Sequence, residues 1–293
     1  MRIDAHQHFW KVSRGDYHWM SPNLPVLYRD FMPEDLLPHL EQLRIDKTVV
    51  VQAAQTVAET DFLLEIANQY DFIAGVVGWL DLESPQFKQQ FAHYRKTKKF
   101  TGLRPMLQDL DDDAWVCRPQ VLRNLELIAE AQFPFEFLTY TRHLPFVLQA
   151  LEAVPGLHAV IDHISKPEIK AKKLEPWKTL MAEAAKHPNL FCKLSGMITE
   201  ADHASWGGED LRPYVEHVVD SFGWDRIIFG SDWPVCLLAG SYSQVYGALR
   251  GVLSAQLDKD REAKVFGQNA ARFYQLENAH DVLRPSPSGM IKA

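Results

Sequence analysis

Two histidines stand two positions apart near the start of the chain, in the segment MRIDAHQHFW. On a β-strand, His6 and His8 project from the same face, as chelation of a metal ion or joint polarisation of a substrate requires. The same alternation predicts Asp4 on that face, one layer deeper. Histidines at this spacing are usually surface or packed residues. The pattern gains weight from its position at the end of the first predicted strand, where barrel enzymes carry catalytic residues.

A carboxylate near the other end of the chain is a candidate partner for these histidines. In the segment RIIFGSDWPV, Asp232 follows an apolar run typical of a buried strand and precedes Trp233-Pro234, which forces a turn. If the first and last strands close a barrel, Asp232 faces His6 and His8. That arrangement suits a general base beside a metal ion or an electrophilic pocket.

A third imidazole is predicted at the end of the sixth strand. Asp162 and His163 are adjacent, so on a strand they point to opposite faces and only one of them enters a barrel mouth. We predict that this residue is His163. The alternative explanation is a hydrogen-bonded histidine of the core.

Polar or aromatic side chains also end most of the remaining predicted strands. The candidates for substrate binding at these positions are Arg104, Lys193, Trp79 and Tyr140. Arg104 and Lys193 also have structural explanations. An arginine can pair with a carboxylate, and a lysine can bury its stem while its ammonium stays hydrated. For Gln52 and Asp81 we expect structural roles only.

The elements that must position these residues repeat in a regular order. Short β-rich runs alternate with stretches of helical periodicity, which is typical of βα units around a parallel sheet. The eight runs cover residues 3–8, 48–53, 72–80, 100–104, 133–139, 158–163, 190–195 and 226–232. Predicted helices begin near Pro33, Thr60, Pro85, Pro119, Thr141, Pro176, Glu209 and Ser241, with a last helix over 259–274.

Eight such units predict an α/β fold of the (β/α)8 class, a single-domain TIM barrel over residues 1–279, followed by a frayed tail over 280–293. A doubly wound open sheet is the alternative, but no glycine-rich dinucleotide fingerprint follows any of the runs. Two long connections, 9–32 and 196–208, follow strands and are expected to form the rim of a pocket. Together with Trp79 and Tyr140, the aromatic residues Trp10 and Trp206 could offer apolar faces to a ligand.

Composition excludes several other classes of protein. The net charge of −7 and the single small basic cluster, Lys96 with Lys98 and Lys99, argue against a nucleic-acid surface. No apolar run reaches the roughly 20 residues that span a bilayer. The three cysteines lack CxxC spacing, so we expect reduced thiols and a cytoplasmic protein without membrane or nucleic-acid partners. The sequence does not determine the oligomeric state, and a homodimer is one of the alternatives.

Five fragments carry a resemblance to a known family. DAHQHFW, GLRPML, IDHISKP, KLSGM and FGSDWP occur in this order between residues 4 and 234. They resemble the amidohydrolase-related sugar-lactone lactonases, the group that contains L-fuconolactonase and L-rhamnonolactonase. The resemblance implies a (β/α)8 barrel that hydrolyses the lactone of an aldonic acid. By motif, it implies an active site built from His6, His8, Arg104, His163 and Asp232.

The resemblance has one departure that concerns metal ions. Binuclear members of the wider superfamily use a carboxylated lysine on strand five as a metal bridge, and the run 133–140 contains no lysine, although Glu136 could substitute. The resemblance therefore implies either one divalent, zinc-like ion held by His6, His8 and Asp232, or a site that works without a metal.

The predicted reaction begins when Asp232 takes a proton from a water molecule that attacks the lactone carbonyl. The developing oxyanion is expected to be stabilised by the three histidines and Arg104, with or without a metal ion. Asp232 then returns the proton to the leaving ring hydroxyl. The predicted partner is thus a small sugar lactone.

Two rival functions are compatible with the same sequence. Decarboxylation of an aromatic acid, or hydrolysis of a dicarboxylate lactone, would use the same site, and a dianionic substrate would need several cations. Arg104, Lys166 and Lys193 are available for this purpose. A non-catalytic barrel is the second rival, and its expected mark would be loss of the histidines or of Asp232.

Overall fold

The computed structural model describes residues 1–276, in which eight parallel strands lie side by side in the order of the sequence. The strands are β1 (Ile3–Gln7), β2 (Lys47–Val51), β3 (Ile73–Gly78), β4 (Phe100–Leu103), β5 (Phe135–Phe137), β6 (Ala159–Ile161), β7 (Leu190–Leu194) and β8 (Ile227–Phe229). All eight coincide with the predicted runs, and most are shorter at one or both ends. The predicted tail over 280–293 lies outside the described residues.

One helix follows each strand and packs on the outside of the sheet. These helices are α1 (Pro33–Leu43), α2 (Val57–Gln69), α3 (Phe87–Tyr94), α4 (Pro119–Glu130), α5 (Leu144–Ala153), α6 (Trp177–Ala184), α7 (Gly208–Phe222) and α8 (Tyr242–Leu253). Proline occupies the first turn of α1 and α4, where its missing N–H costs nothing. Within residues 1–276, we find no helix that is both long and apolar enough to cross a membrane.

The barrel closes between β1 and the residues that follow β8. The Asp232 N–H donates to the His6 carbonyl over 2.8 Å, and the His8 N–H donates to the Trp233 carbonyl over 2.7 Å. Gly230 makes this approach possible, because a Cβ at that position would lie 2.6 Å from the Cβ of His6. The prediction of a single-domain (β/α)8 barrel is confirmed.

The amino-terminal end of the barrel is filled by apolar side chains and covered by the last helical segment. Branched residues of the strands form one buried cluster with Phe273 and Tyr274. The covering segment is interrupted, since a π-helical turn (Lys264–Gln268) separates α9 (Lys259–Ala263) from α10 (Asn269–Phe273). With this end covered, the carboxyl ends of the strands remain the place for a ligand.

The structure corrects the predicted position of Asp4. The pairing of β1 with β2 shifts register between Asp4 and Gln7, so the simple alternation of faces breaks there. Asp4 instead accepts hydrogen bonds from the N–H of His6, the N–H and hydroxyl of Ser231, and the hydroxyl of Tyr242 at the start of α8. Burial raises the pKa of Asp4 to about 6, although these hydrogen bonds act in the opposite direction.

We predict that Asp4→Ala destabilises the fold strongly, because it leaves four buried donors without an acceptor. The free energy of unfolding should fall by at least about 3 kcal/mol in denaturant titrations. Tyr242→Phe removes only one of these donors and should cost about 1 kcal/mol. Equal losses for the two variants would contradict this account of how β1 is tied to β8.

Candidate active site

The carboxylate of Asp232 lies at the centre of three imidazoles. Its Oδ1 is 3.3 Å from Nε2 of His8 and 3.8 Å from Nε2 of both His6 and His163. Asp232 has a left-handed backbone with φ of 58°, and all four side chains are buried. The structure thus brings together the four residues that the sequence predicted as catalytic.

His8 has a defined tautomer because of its backbone partner. Nδ1 lies 2.8 Å from the carbonyl oxygen of Val51, which can only accept, so Nδ1 carries a proton. In the neutral ring Nε2 then has a lone pair, and this lone pair faces the Asp232 carboxylate. Two acceptors at this distance require a proton or a cation between or beside them. The donor set is therefore suited to a positive charge.

His163 is presented by an unusual left-handed turn. Strand β6 ends at Ile161, and the four residues from His163 to Lys166 all have φ between 45° and 60°. The N–H of Lys166 donates to the His163 carbonyl over 2.8 Å, and the Trp177 indole N–H donates to the Ile164 carbonyl over 2.6 Å. Strand β6 ends at Ile161, so the alternation of faces along a strand does not extend to Asp162 and His163. The expectation that these two residues point to opposite faces therefore does not apply.

Neighbouring residues fix the His163 ring. Nδ1 lies 2.8 Å from the Ser195 hydroxyl oxygen. A Cβ on Gly196, whose φ is 60°, would lie 2.5 Å from Nδ1, so the ring needs glycine at that position. Burial lowers the pKa of His163 well below its usual value, which keeps the ring neutral.

His6 sits lower in the barrel, between charged groups on both sides of its ring. Nδ1 lies 3.1 Å from Nζ of Lys193 and 3.5 Å from Oδ1 of Asp162. Nε2 lies 3.2 Å from Nη1 of Arg104. Burial, together with the charge of Lys193, lowers the pKa of His6 well below its usual value. His6 is therefore a neutral imidazole held by its neighbours.

Beneath His6, the barrel interior holds a fully buried ionic network. Nζ of Lys193 lies 2.7 Å from Glu136 and 3.1 Å from Asp162, and the Tyr274 hydroxyl donates to Glu136. Burial raises the pKa of Glu136 to about 7, and the charge of Asp162 acts in the same direction. Burial also opposes ionisation of Asp162, but Lys193, His6 and Arg104 outweigh it and hold its pKa well below the usual value.

Lys193 and Glu136, for which the sequence suggested roles in the site, both belong to this buried network. Lys193 was predicted to bind substrate, but its ammonium is committed to Glu136 and Asp162 below His6 and does not line the cavity. Glu136 was considered as a substitute for a metal-bridging lysine, and it is engaged by Lys193 and Tyr274 instead.

Arg104 lines the cavity, but its donors are already engaged. Nε and Nη2 donate to the side-chain oxygen of Gln52, at 3.1 and 2.8 Å, and Nη2 also donates to the Gln52 carbonyl. Nη1 lies 3.0 Å from Asp162 and 3.2 Å from Nε2 of His6. Gln52, expected to be structural, is thus the residue that orients Arg104.

A cavity of about 190 Å³ opens above this constellation. Its polar lining comes from His8, Arg104, Gln108, His163, Lys166 and Asp232. Its apolar lining includes Trp19, Leu24, Leu27, Leu138, Val235 and Leu238. The connection 9–32 therefore contributes to the wall, as expected, whereas the connection 196–208 supplies no lining residue among those described.

Three aromatic residues predicted to bind substrate are not among the described residues that line the cavity. The backbone N–H and carbonyl of Trp79 both bond the Thr60 hydroxyl. The Tyr140 ring packs near Lys166, and the Trp206 indole N–H donates to the Ala239 carbonyl. Trp10 is fully buried in the core. Sequence reasoning missed Trp19 and Gln108, since neither ends a strand.

Among residues 1–276, two groups of side chains have donor atoms close enough to hold a metal ion. They are His6 with His8 and Asp232, and His6 with Asp162 and His163; within each group the donor atoms lie within 4.8 Å of one another. The first group is the predicted set. Its fit is supported by the lone pair of His8 Nε2 facing the Asp232 carboxylate.

A barrel with imidazoles and a carboxylate gathered at the carboxyl ends of its strands has the architecture of a (β/α)8 enzyme. A family model described as amidohydrolase matches residues 3–276, and the chain belongs to this family.

Two relatives are similar over nearly their whole length. The L-fucono-1,5-lactonase of Burkholderia ambifaria is 42% identical over 283 residues, which are 94% of this chain and 96% of that protein. The L-fucono-1,5-lactonase of Burkholderia multivorans is 37% identical, with coverage of 96% and 98%. A crystal structure of an amidohydrolase from Burkholderia multivorans with bound zinc has a TM-score of 0.89 and 36% identity, covering 94% of this chain and 99% of that one.

We predict that the purified chain holds at most one zinc ion per molecule. The reason is that Glu136, the acidic residue of β5, is already paired with Lys193. Elemental analysis after incubation with excess zinc and gel filtration measures the ratio. His8→Ala should lower it, whereas the surface variant His203→Ala should leave it unchanged. Two tightly held ions per chain would contradict the prediction.

Proposed function

We propose that this chain hydrolyses the lactone ring of a sugar acid, such as L-fucono- or L-rhamnonolactone, to the open aldonate. The observation that carries the proposal is the ring of three imidazole Nε2 atoms around Asp232 Oδ1 at the floor of the cavity. The similarity to two L-fucono-1,5-lactonases supports the choice of substrate class.

Asp232 is assigned as the general base. Burial by itself would raise its pKa, but the His163 imidazole and the charge of Lys166 act against burial, and its pKa is lowered. Asp232 is therefore ionised at neutral pH. Its carboxylate accepts one proton from a water molecule, and the water oxygen forms a bond to the lactone carbonyl carbon.

The tetrahedral intermediate then collapses. The bond between the former carbonyl carbon and the ring oxygen breaks, and protonated Asp232 gives its proton to the departing alkoxide. The products are the sugar hydroxyl and a carboxylic acid, which ionises in water. Neutral His163, held by Ser195, is assigned to hydrogen-bond the oxyanion, with His6 and His8 beside it.

His6, His8 and Asp232 would hold a divalent ion, and the zinc-bound structure of a similar protein supports this assignment. When bound, such an ion polarises a carbonyl oxygen as a Lewis acid. The residues of this chain supply proton transfer and orientation around it.

A neutral lactone fits the free charges of the cavity better than a dianionic substrate does. The donors of Arg104 are engaged by Gln52, Asp162 and His6, and Lys193 lies below the floor. Among the cavity-lining residues described, Lys166 is the one cation with neither an ion pair nor a side-chain hydrogen bond. This favours lactone hydrolysis over decarboxylation of an aromatic acid or hydrolysis of a dicarboxylate lactone. The three cysteines are free thiols, so we place the activity in the cytoplasm.

A substrate panel tests this function. We predict that the protein releases acid from 6-deoxy-aldonolactones, followed with a pH indicator, and releases no carbon dioxide from dihydroxybenzoates. The panel should include 2-pyrone-4,6-dicarboxylate, for which we expect no turnover above background. Carbon dioxide release, or hydrolysis of the dicarboxylate with no lactone opening, would overturn the proposal.

We predict that Asp232→Asn lowers kcat for the best lactone by at least about 10²-fold, the usual contribution of a general base. The amide keeps the size of the side chain, so the thermal midpoint should change little. Asp202→Asn is the matched control, because Asp202 is an exposed carboxylate paired with Lys170, and its kcat should stay at the wild-type level. Near wild-type kcat in folded Asp232→Asn protein would contradict the mechanism.

A further inference from the structure

The cavity contains two polar side chains that no protein group fully satisfies. Lys166 lines it without an ion pair or side-chain hydrogen bond to any described residue. The side-chain oxygen of Gln108 is buried and also lacks a hydrogen-bond partner within the described chain. Buried polar atoms are normally paired, so the Gln108 oxygen points to a ligand that completes its bonding. The partly exposed Lys166 ammonium lines the same cavity and could bind the same ligand.

The Lys166 side chain projects from a hydrogen-bonded turn and lies over the Tyr140 ring. Lys166 is the last residue of the left-handed turn that presents His163, and its N–H bonds the His163 carbonyl. Its ammonium lies 5.4 Å from the centre of the Tyr140 ring, a contact that holds a cation without neutralising it. One turn therefore delivers an imidazole and an unpaired cation to the same cavity.

Arg104 cannot offer its positive charge to a ligand without losing hydrogen bonds that its guanidinium already makes. Its guanidinium already donates to Gln52, Asp162 and His6. Arg104 is thus a positioning residue for His6, and the cation available for binding is Lys166.

We propose that Lys166 binds the carboxylate that lactone opening creates, and that Gln108 accepts a hydrogen bond from a sugar hydroxyl. This inference rests on the proposed function, since it takes an aldonate as the product. It predicts that the charge of Lys166 matters more for the anionic product than for the neutral lactone, whereas Gln108 serves both because both carry hydroxyls.

The test compares binding of L-fuconate, measured by titration calorimetry, with kinetics on L-fucono-1,5-lactone. Lys166→Met keeps most of the length of the side chain and removes its charge; it should raise the fuconate dissociation constant at least 10-fold and raise KM for the lactone less. Lys166→Arg should retain most of the fuconate affinity. Gln108→Leu should weaken fuconate and lactone to a similar extent.

Lys170→Met is the matched control, because Lys170 is an exposed lysine of the same connection, paired with Asp202, and its fuconate affinity should equal that of wild type. Unchanged fuconate affinity in Lys166→Met, with the thermal midpoint retained, would overturn the inference, as would absence of measurable fuconate binding to the wild-type protein. Failure of the proposed function has a different signature, namely a wild-type protein that opens no aldonolactone.

A second pair of variants applies if Lys166→Met does not fold. Loss of fuconate affinity in Lys166→Gln but not in Lys166→Arg supports the inference, and equal affinity in both overturns it.

Discussion

Two backbone hydrogen bonds between β1 and the segment after β8 hold the candidate site together. They run from the Asp232 N–H to the His6 carbonyl and from the His8 N–H to the Trp233 carbonyl. They close the barrel and, in the same step, set the carboxylate of Asp232 against the two imidazoles of β1. The left-handed backbone of Asp232 persists because these bonds and the buried Asp4 carboxylate fix the residues on either side of it.

The second requirement is the buried ionic network under His6. Its charges come from Arg104, Glu136, Asp162 and Lys193, and each lies on or directly after a different strand. Buried ion pairs add little net stability, because desolvation offsets their attraction. What they provide here is orientation, since Lys193 and Arg104 contact opposite nitrogens of the His6 ring. The cavity floor is thus fixed before a ligand arrives.

Much of this arrangement could be predicted from the sequence. The pattern of β-rich runs located all eight strands, and His6, His8, His163 and Asp232 were predicted from their positions at the ends of those runs. The position of Asp4 could not be, since a register shift within β1 leaves no mark in the residue pattern. Pairing of Arg104 with a carboxylate was open from the sequence, and Asp162 fills that role, but the contact with Gln52, which directly follows β2, could not be predicted.

Residues of the cavity wall were the hardest to predict. Trp19 and Gln108 lie in connections, where the ends of strands give no guidance, whereas Trp79 and Tyr140, which follow strands, are not among the described lining residues. Lys166 was visible in the IDHISKP motif, but its orientation follows from four consecutive left-handed residues, which no local propensity predicts.

In the proposed mechanism, Asp232 activates water and does not itself attack the lactone. A single turnover in ¹⁸O-labelled water, with enzyme in excess over L-fucono-1,5-lactone, tests this directly by mass spectrometry of product and protein. We expect one ¹⁸O atom in the carboxylate of the product and none in Asp232. Unlabelled product together with ¹⁸O in the Asp232 side chain would show a covalent acyl-aspartate and contradict the account.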